Sequence, residues 1–164
     1  MLTIKNAQTK EDIKKIAALA QIIWMEHFTP IIGIDQVQYM LDKFQSAEAI
    51  EAMIETEGYV YYMAYDNGVL AGYMGFHPDE TKQSILLSKI YVEKSFRKRS
   101  IAKTMIETVT KQYPAFHTLW LTVNRHNDDS IAAYKRMGFE IVREQVTDIG
   151  NRFVMDDFVM ELRY

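Results

Sequence analysis

The residues of this chain best placed to do chemistry lie between Lys89 and Lys103. Ile90-Tyr91-Val92 is followed, after four residues, by Arg97-Lys98-Arg99-Ser100-Ile101-Ala102-Lys103. Lys89, Lys94, Arg97, Lys98, Arg99 and Lys103 set six cations against one acid, Glu93, in a chain whose net charge is −3. The segment reads as a strand ending at Val92, a loop, and a helix beginning near Ile101. Where a loop enters a helix, the first backbone N–H groups lack partners and the helix dipole adds partial positive charge. Such a turn binds phosphate, and basic side chains reinforce it. Small residues at Ser100 and Ala102 let an anion approach the backbone, a geometry suited to a pyrophosphate. In isolation, a basic run is more often a solvated surface, so its neighbours decide.

The second dense stretch runs from Leu119 to Phe139. A strand exits through Asn124, and Asn127 and Ser130 open a helix that carries Tyr134 and stops at Gly138-Phe139. Locally, Asn127 has the position of a helix cap, and Tyr134, beside Ile131 and Met137, has that of a core residue. Gly138 is a helix stop and Phe139 core.

These segments need elements to hold them. Thr3 to Asn6 reads as a strand. Thr9, three residues before Asp12, opens a helix with Ile13, Ile16, Ala17, Ala20, Ile23, Trp24 and Phe28 at helical spacing. Pro30 and Gly33 end it, Asp35 is expected to cap a second helix, and Ser46 a third that Gly58 stops. Tyr59 to Tyr65 and Val69 to His77 read as strands joined by the hairpin turn Asp66-Asn67-Gly68. A polar loop over Pro78 to Lys82 leads to a strand from Ile85 to Val92, a helix over about Ile101 to Gln112, a strand at Leu119 to Val123 and a helix at Asn127 to Met137. Strands at Phe139 to Val146 and Phe153 to Leu162 flank a turn at Asp148 to Asn151. The order β-α-α-α-β-β-β-α-β-α-β-β predicts a single α/β domain over residues 1–164, with a mixed sheet of about seven strands and helices on both faces.

Composition narrows the function. The 164 residues, 48% hydrophobic and 25% charged, suit one globular domain. Without a cysteine there is no disulfide, thiolate metal site or acyl-cysteine intermediate. No metal is expected, and a reducing cytoplasm suits the composition. Met1 to Asn6 lacks the apolar core of a signal peptide, and no stretch has the roughly 18 apolar residues of a membrane span. The acidic total and the absence of a second basic face argue against a nucleic-acid partner, and nothing global attracts a membrane.

The two segments together resemble the GNAT acetyltransferase superfamily from about Val69 onward. Its cofactor motif, Arg/Gln-x-x-Gly-x-Gly/Ala after a Tyr-Val-like strand end, is matched by Arg97, Ser100 and Ala102 after Tyr91-Val92. Its second motif, Asn-x-x-Ala/Ser-x-x-x-Tyr-x-x-x-Gly-Phe, is matched by Asn127, Ser130, Tyr134, Gly138 and Phe139. Ser100 departs from the family glycine, and Lys98 stands where glycine is frequent. If position 100 needs a positive φ, serine costs roughly 1 kcal/mol; the expectation here is helical φ/ψ, with the hydroxyl free to touch phosphate.

The resemblance implies a fold in which two parallel strands splay at Val92 and Asn124, admitting the pantetheine of acetyl-CoA. The implied cofactor residues are Ile90, Tyr91, Val92, Arg97, Lys98, Arg99, Ser100, Ile101, Ala102, Lys103, Asn124, Asn127, Ser130 and Tyr134. The Val92 amide would stabilise the oxyanion of a tetrahedral intermediate, and Tyr134 would protonate the leaving thiolate. An amine would attack directly. The family's frequent glutamate on the strand before the loop is missing from Ile85-Leu-Leu-Ser-Lys-Ile-Tyr-Val92, which leaves Glu26, His27, Asp156, Asp157 or a water wire as base. The acceptor wall would include Trp24, Glu26, His27, Phe28, Tyr39, Asp156, Asp157 and Tyr164, aromatics and carboxylates that suit a cationic amine. The Ile22 to Phe44 insert and the tail from Ile149 are similar to the bacterial polyamine acetyltransferase branch, which points to spermidine or spermine and to a homodimer. Peptide or protein amines, amino sugars and a non-catalytic acyl-CoA sensor are the competing readings.

Overall fold

The computed structural model describes residues 1–164. Strand β1 (Leu2–Asn6) leads into helix α1 (Lys10–His27), whose start is fixed by a full capping box: Asp12 N–H donates to Thr9 Oγ1 at 3.0 Å, and Thr9 N–H donates back to the Asp12 carboxylate at 3.3 Å. The donors from Gln8, Lys5 and Thr9 hold the Asp12 carboxyl down at about 2, below the usual carboxylate range. A single turn α2 (Thr29–Ile32), starting on Pro30 near its first position, separates α1 from α3 (Ile34–Phe44), and α4 (Ala47–Thr56) follows. Ser46 caps α4 by accepting from Ala49 N–H. Asp35 caps nothing: Gly33, at φ 86, occupies the N-cap of α3, and Asp35 lies inside its first turn. Only glycine turns the chain this sharply without strain, so α3 begins directly after it.

Strands β2 (Val60–Asp66), β3 (Val69–Asp79) and β4 (Ser84–Val92) form an antiparallel meander. Asn67 at φ 51 and Gly68 at φ 81 make the expected tight hairpin turn. β3 runs two residues beyond the sequence expectation, because Pro78 pairs with Ile85 near the strand end, where its missing N–H does little harm. Helix α5 (Ile101–Gln112) crosses to β5 (Thr118–Asn124), and α6 (Asp128–Arg136) leads to β6 (Glu140–Gly150) and β7 (Phe153–Arg163). The last turn lies at Asn151-Arg152, both at positive φ, so β6 extends to Gly150.

The seven strands are ordered β1-β2-β3-β4-β5-β7-β6. All pairs are antiparallel except β4 and β5, joined by the α5 crossover. One core packs α5 and α6 on one face around Phe76, Met105, Leu119 and Phe139; the other packs α1, α3 and α4 on the opposite face around Ile16, Ile50, Tyr61 and Tyr73. No helix is long and apolar enough to cross a membrane.

Candidate active site

The site originates in a short parallel ladder. β4 and β5 pair only at Ser84–Thr118, Ile85–Leu119 and Leu86–Trp120. Beyond Leu86, β4 follows β3, while β5 stays paired with β7 along its whole length to Asn124. A bulge at Ser88, between the pairs Phe76–Leu87 and Gly75–Lys89, bends β4 where the strands part. The gap opens into a cavity of about 1520 Å³, lined from β4 by Leu87 to Val92 and from β5 by Leu121 to Asn124. That exceeds the usual size of a small-ligand pocket and leaves space for two reactants.

The unpaired strand edges bring donors to this gap. N–H groups alternate between the two edges of a strand. Glu93 N–H goes to Ala71 O on β3 at 2.8 Å, so that of Val92 faces the opposite edge, into the gap. The approach is close-fitting: a Cβ on Gly72, the β3 partner of Val92, would lie 2.6 Å from Tyr91 O.

At one end of the cavity the basic loop forms a nest. Lys98 and Ser100 adopt φ 63 and 60 while Arg99 between them does not, an alternation that turns successive N–H groups toward one concavity. Ser100 is thus left-handed (ψ 24), not helical as the sequence suggested. The reversal aims the loop amides before α5 begins, and a side chain there costs about 1 kcal/mol. Its hydroxyl caps nothing; α5 starts without a side-chain cap, and the N–H groups of Ile101, Ala102 and Lys103 have no backbone acceptor. α6 likewise starts without a side-chain cap. Two uncapped N-termini facing one cavity fit an anionic ligand. Because the Ser100 side chain is unpartnered, Ser100→Gly is expected to raise the melting temperature by about 2–4 °C, relief worth up to about 1 kcal/mol; a lower melting temperature would show that the hydroxyl holds the loop.

Of the fourteen cofactor residues expected from the sequence, thirteen line this cavity. Arg99 does not: it pairs with Asp66 at 2.9 Å and stacks over Phe96, so it braces the β2–β3 hairpin instead. Arg97 folds back so that its Nε donates to Val92 O at 3.1 Å. Lys103 also reaches Glu107 one turn on, at 4.0 Å. Asn127 stands at the N-cap of α6, yet its side chain makes no cap; its Oδ1 bonds His27 Nε2 at 2.9 Å, tying α1 to α6 across the cavity. Tyr134 packs on Phe139 with ring centroids 5.7 Å apart, and burial pushes its phenol well above the ordinary tyrosine range.

The acceptor wall differs more from expectation. Trp24 and His27 line the cavity; Glu26 lines an adjoining cleft of about 520 Å³ with Lys94 and Arg97. Tyr39 is directed away, with its hydroxyl donating to Ile149 O at 2.6 Å and its ring on Phe153, so it ties α3 to β6. Asp156 turns to the other side of β7 and accepts from Arg125 Nε at 2.8 Å. Its neighbour Asp157 faces the cavity instead, 3% exposed and without a hydrogen-bond partner, and burial lifts its carboxyl to about 6. Near it Tyr91 packs edge-on to Trp24 (5.7 Å) and Phe28 (6.0 Å). Lys89, counted in the sequence only as a member of the basic run, is a further lining residue. It is 4% exposed, donates to Tyr61 Oη at 2.7 Å and to Phe44 O at the end of α3, and is brought down to about 7 by burial. A lysine in the largely apolar strand Ile85 to Val92 was the available signal.

A splayed parallel strand pair, an anion-binding nest and two open helix ends on one cavity suit a transferase with an anionic cofactor. The model of the Acetyltransferase (GNAT) family matches residues 17–139, and the chain belongs to that family. It is 23% identical over 160 residues to an N-acetyltransferase in the pepI 3′ region of Lactobacillus delbrueckii subsp. lactis, covering 92% of each chain. Among solved structures it is similar to the PaiA N-acetyltransferase of Thermoplasma acidophilum in complex with coenzyme A (TM-score 0.81, 18% identity, 100% of this chain and 99% of that one). It is also similar to a GCN5-related N-acetyltransferase of Rhodopseudomonas palustris (TM-score 0.78, 17% identity, 99% and 95%). The chain is therefore an N-acetyltransferase that uses acetyl-CoA. The nest, the open helix ends and the unpaired β4 edge are the features that fit the cofactor.

Proposed function

We propose that the acceptor is a primary amine carrying positive charge, with polyamines such as spermidine and spermine as the leading substrates. The observation that carries this reading is Asp157, a buried carboxylate without a partner at the acceptor end of the cavity. A cation meeting that carboxylate would offset the cost of burying it. The Trp24–Phe28–Tyr91 cluster favours the same charge through its ring faces, and Glu57 and Asp129 on the same cavity give further ammonium groups places to sit. In this reading Arg97, Lys98, Ser100 and the first turn of α5 hold the pyrophosphate, Asn127 holds the pantetheine, and Val92 N–H binds the oxyanion. Tyr134 delivers the proton to sulfur.

The reading includes a cytoplasmic homodimer. The absence of cysteine suits a reducing compartment, and Ile141, Val142 and Val146 stand exposed on β6, the outermost strand. A sedimentation mass equal to one chain would remove the dimer.

Thiol release from acetyl-CoA across a panel of amines tests the acceptor. Spermidine and spermine are expected to turn over faster than neutral peptides or amino sugars; release only with peptide amines would overturn the polyamine assignment. In a thermal melt, acetyl-CoA at a hundredfold excess over its Kd is expected to stabilise the fold by about 2.7 kcal/mol, a rise of roughly 5–10 °C. No shift at millimolar acetyl-CoA would contradict the assigned cradle.

A further inference from the structure

We infer that Asp157 is the general base of this enzyme: its carboxylate binds the acceptor ammonium and takes the proton that must leave before the amine attacks. The inference rests on the cationic-amine reading and assigns a step within it.

Asp157 has the placement such a base needs. It is the register partner of Asn124, the residue at which β5 ends, and so lies at the open end of the splay. β7 is paired on both edges, to β5 and to β6, which fixes its backbone. The neighbouring elements bring no cation to the carboxylate. Tyr91 approaches from β4, Tyr134 lines the same cavity from α6, and His27 sits at its α1 rim, bound to Asn127. β5 presents Asn124 and β6 presents Gln145, neither of which titrates. Lys89 is engaged with Tyr61 and Phe44, and Arg125 with Asp156 and Glu144. Asp157 is 3% exposed and accepts from no protein donor, while its oxygens are not sealed from the cavity, which leaves the carboxylate open to a cationic ligand; buried charges are ordinarily paired. β4, where the family's frequent glutamate would stand, carries no carboxylate between Ser84 and Val92.

The step balances. The ammonium N–H gives its proton to an Asp157 oxygen, leaving a neutral amine. The nitrogen lone pair forms a C–N bond to the thioester carbon while the C=O pair moves to oxygen, facing Val92 N–H. Collapse re-forms C=O and breaks C–S; the sulfur takes a proton from Tyr134, and the N–H proton lost from the amide nitrogen reprotonates the tyrosine through solvent. Asp157 returns its own proton to solvent once product has left.

The experiment is a pH profile of kcat and kcat/KM for spermidine in wild type, Asp157→Asn and Asp157→Glu. The wild type is expected to show an ascending limb near pH 6, where Asp157 ionises. Asp157→Asn is expected to lose that limb and about 100-fold in kcat at pH 7, with unchanged acetyl-CoA affinity, and Asp157→Glu to recover part of the rate and keep a limb. An acceptor amine already neutral at pH 7 should lose less than about fivefold in Asp157→Asn, since no base is required. Asp157→Asn should also melt no lower than wild type at pH 7. Burial raises the folded-state pKa, so stability is present below the unfolded value and lost as pH rises through about 6; at pH 7 the charge is a cost that asparagine removes. His27 also lines the cavity, so His27→Gln is the control and is expected to keep the limb.

An Asp157→Asn protein that keeps the limb, keeps its kcat within about threefold or loses acetyl-CoA binding would overturn the assignment. A limb that disappears in His27→Gln instead would overturn it in favour of His27. If wild type released no thiol with any charged amine, the acceptor reading and this inference would fall together, whereas turnover that ignores Asp157 removes the inference alone.

Discussion

Tyr134→Phe is expected to lower kcat by about 100-fold while acetyl-CoA affinity stays within about twofold. The leaving group of the transfer is a thiolate, and a positioned proton donor is what lowers the barrier to its departure. Tyr134 lines the cavity and makes no hydrogen bond to protein, so removing its hydroxyl leaves no broken network behind. Its ring contact with Phe139 is retained by phenylalanine, which separates a chemical effect from a packing one. Burial pushes the phenol up, so Tyr134 stays protonated across the physiological range and its own ionisation adds no descending limb near neutrality. Steady-state thiol release with calorimetric acetyl-CoA binding checks the split. A fall in affinity with unchanged kcat would make Tyr134 a cofactor contact and take away its role as acid.

Gly72→Ala should be the most damaging conservative change in the sheet. The added methyl would stand 2.6 Å from Tyr91 O and 3.3 Å from Val92 Cα. Both are backbone atoms of β4, so they yield only if the strand moves, and overpacking of this kind costs typically about 1–3 kcal/mol. The movement falls on the residue whose N–H faces the gap. A displacement of about 1 Å at a reacting centre can cost on the order of 100-fold in rate, so kcat/KM should fall by at least about tenfold while the protein still folds. Gly75→Ala is the informative comparison. Its methyl would meet the buried Tyr61 ring at 2.8 Å, on the side of β3 away from the Val92 backbone, so stability should drop with a smaller loss of activity. Melting temperature and kcat/KM measured for both variants test the contrast; a Gly72→Ala enzyme with wild-type kcat would mean that Val92 is not held by this contact.

The elements were legible because their signals are local. Thr9 and Asp12 specify one helix start and Ser46 another, Asn67-Gly68 specifies a hairpin, and helix α5 begins and ends where its apolar spacing places it. The basic loop and the Asn127–Tyr134 segment were legible for a related reason. A nest and a helix start are built from consecutive residues, so their spacing survives in the chain. Local rules also misled in places. Asp35 resembles a cap, but Gly33 had already turned the chain; Ser100 resembles a helix start, but the loop needs left-handed φ there.

Sequence by itself determined the α/β order, the basic loop and the second motif, since each depends on neighbours within about a dozen residues. Tertiary structure alone decided which side chains meet the cavity. β7 reads apolar on both faces, with Met155 and Val159 on one and Val154, Phe158 and Met160 on the other, so the strand period could not choose between Asp156 and Asp157. The choice came from Arg125, which draws Asp156 away, and from the divergence of β4 from β5, which leaves a cavity in front of Asp157. Tyr39, engaged with Ile149 O, and Arg99, engaged with Asp66, were settled the same way, by partners 110 and 33 residues distant in the chain. No periodicity encodes such pairings; they exist only once the sheet has closed.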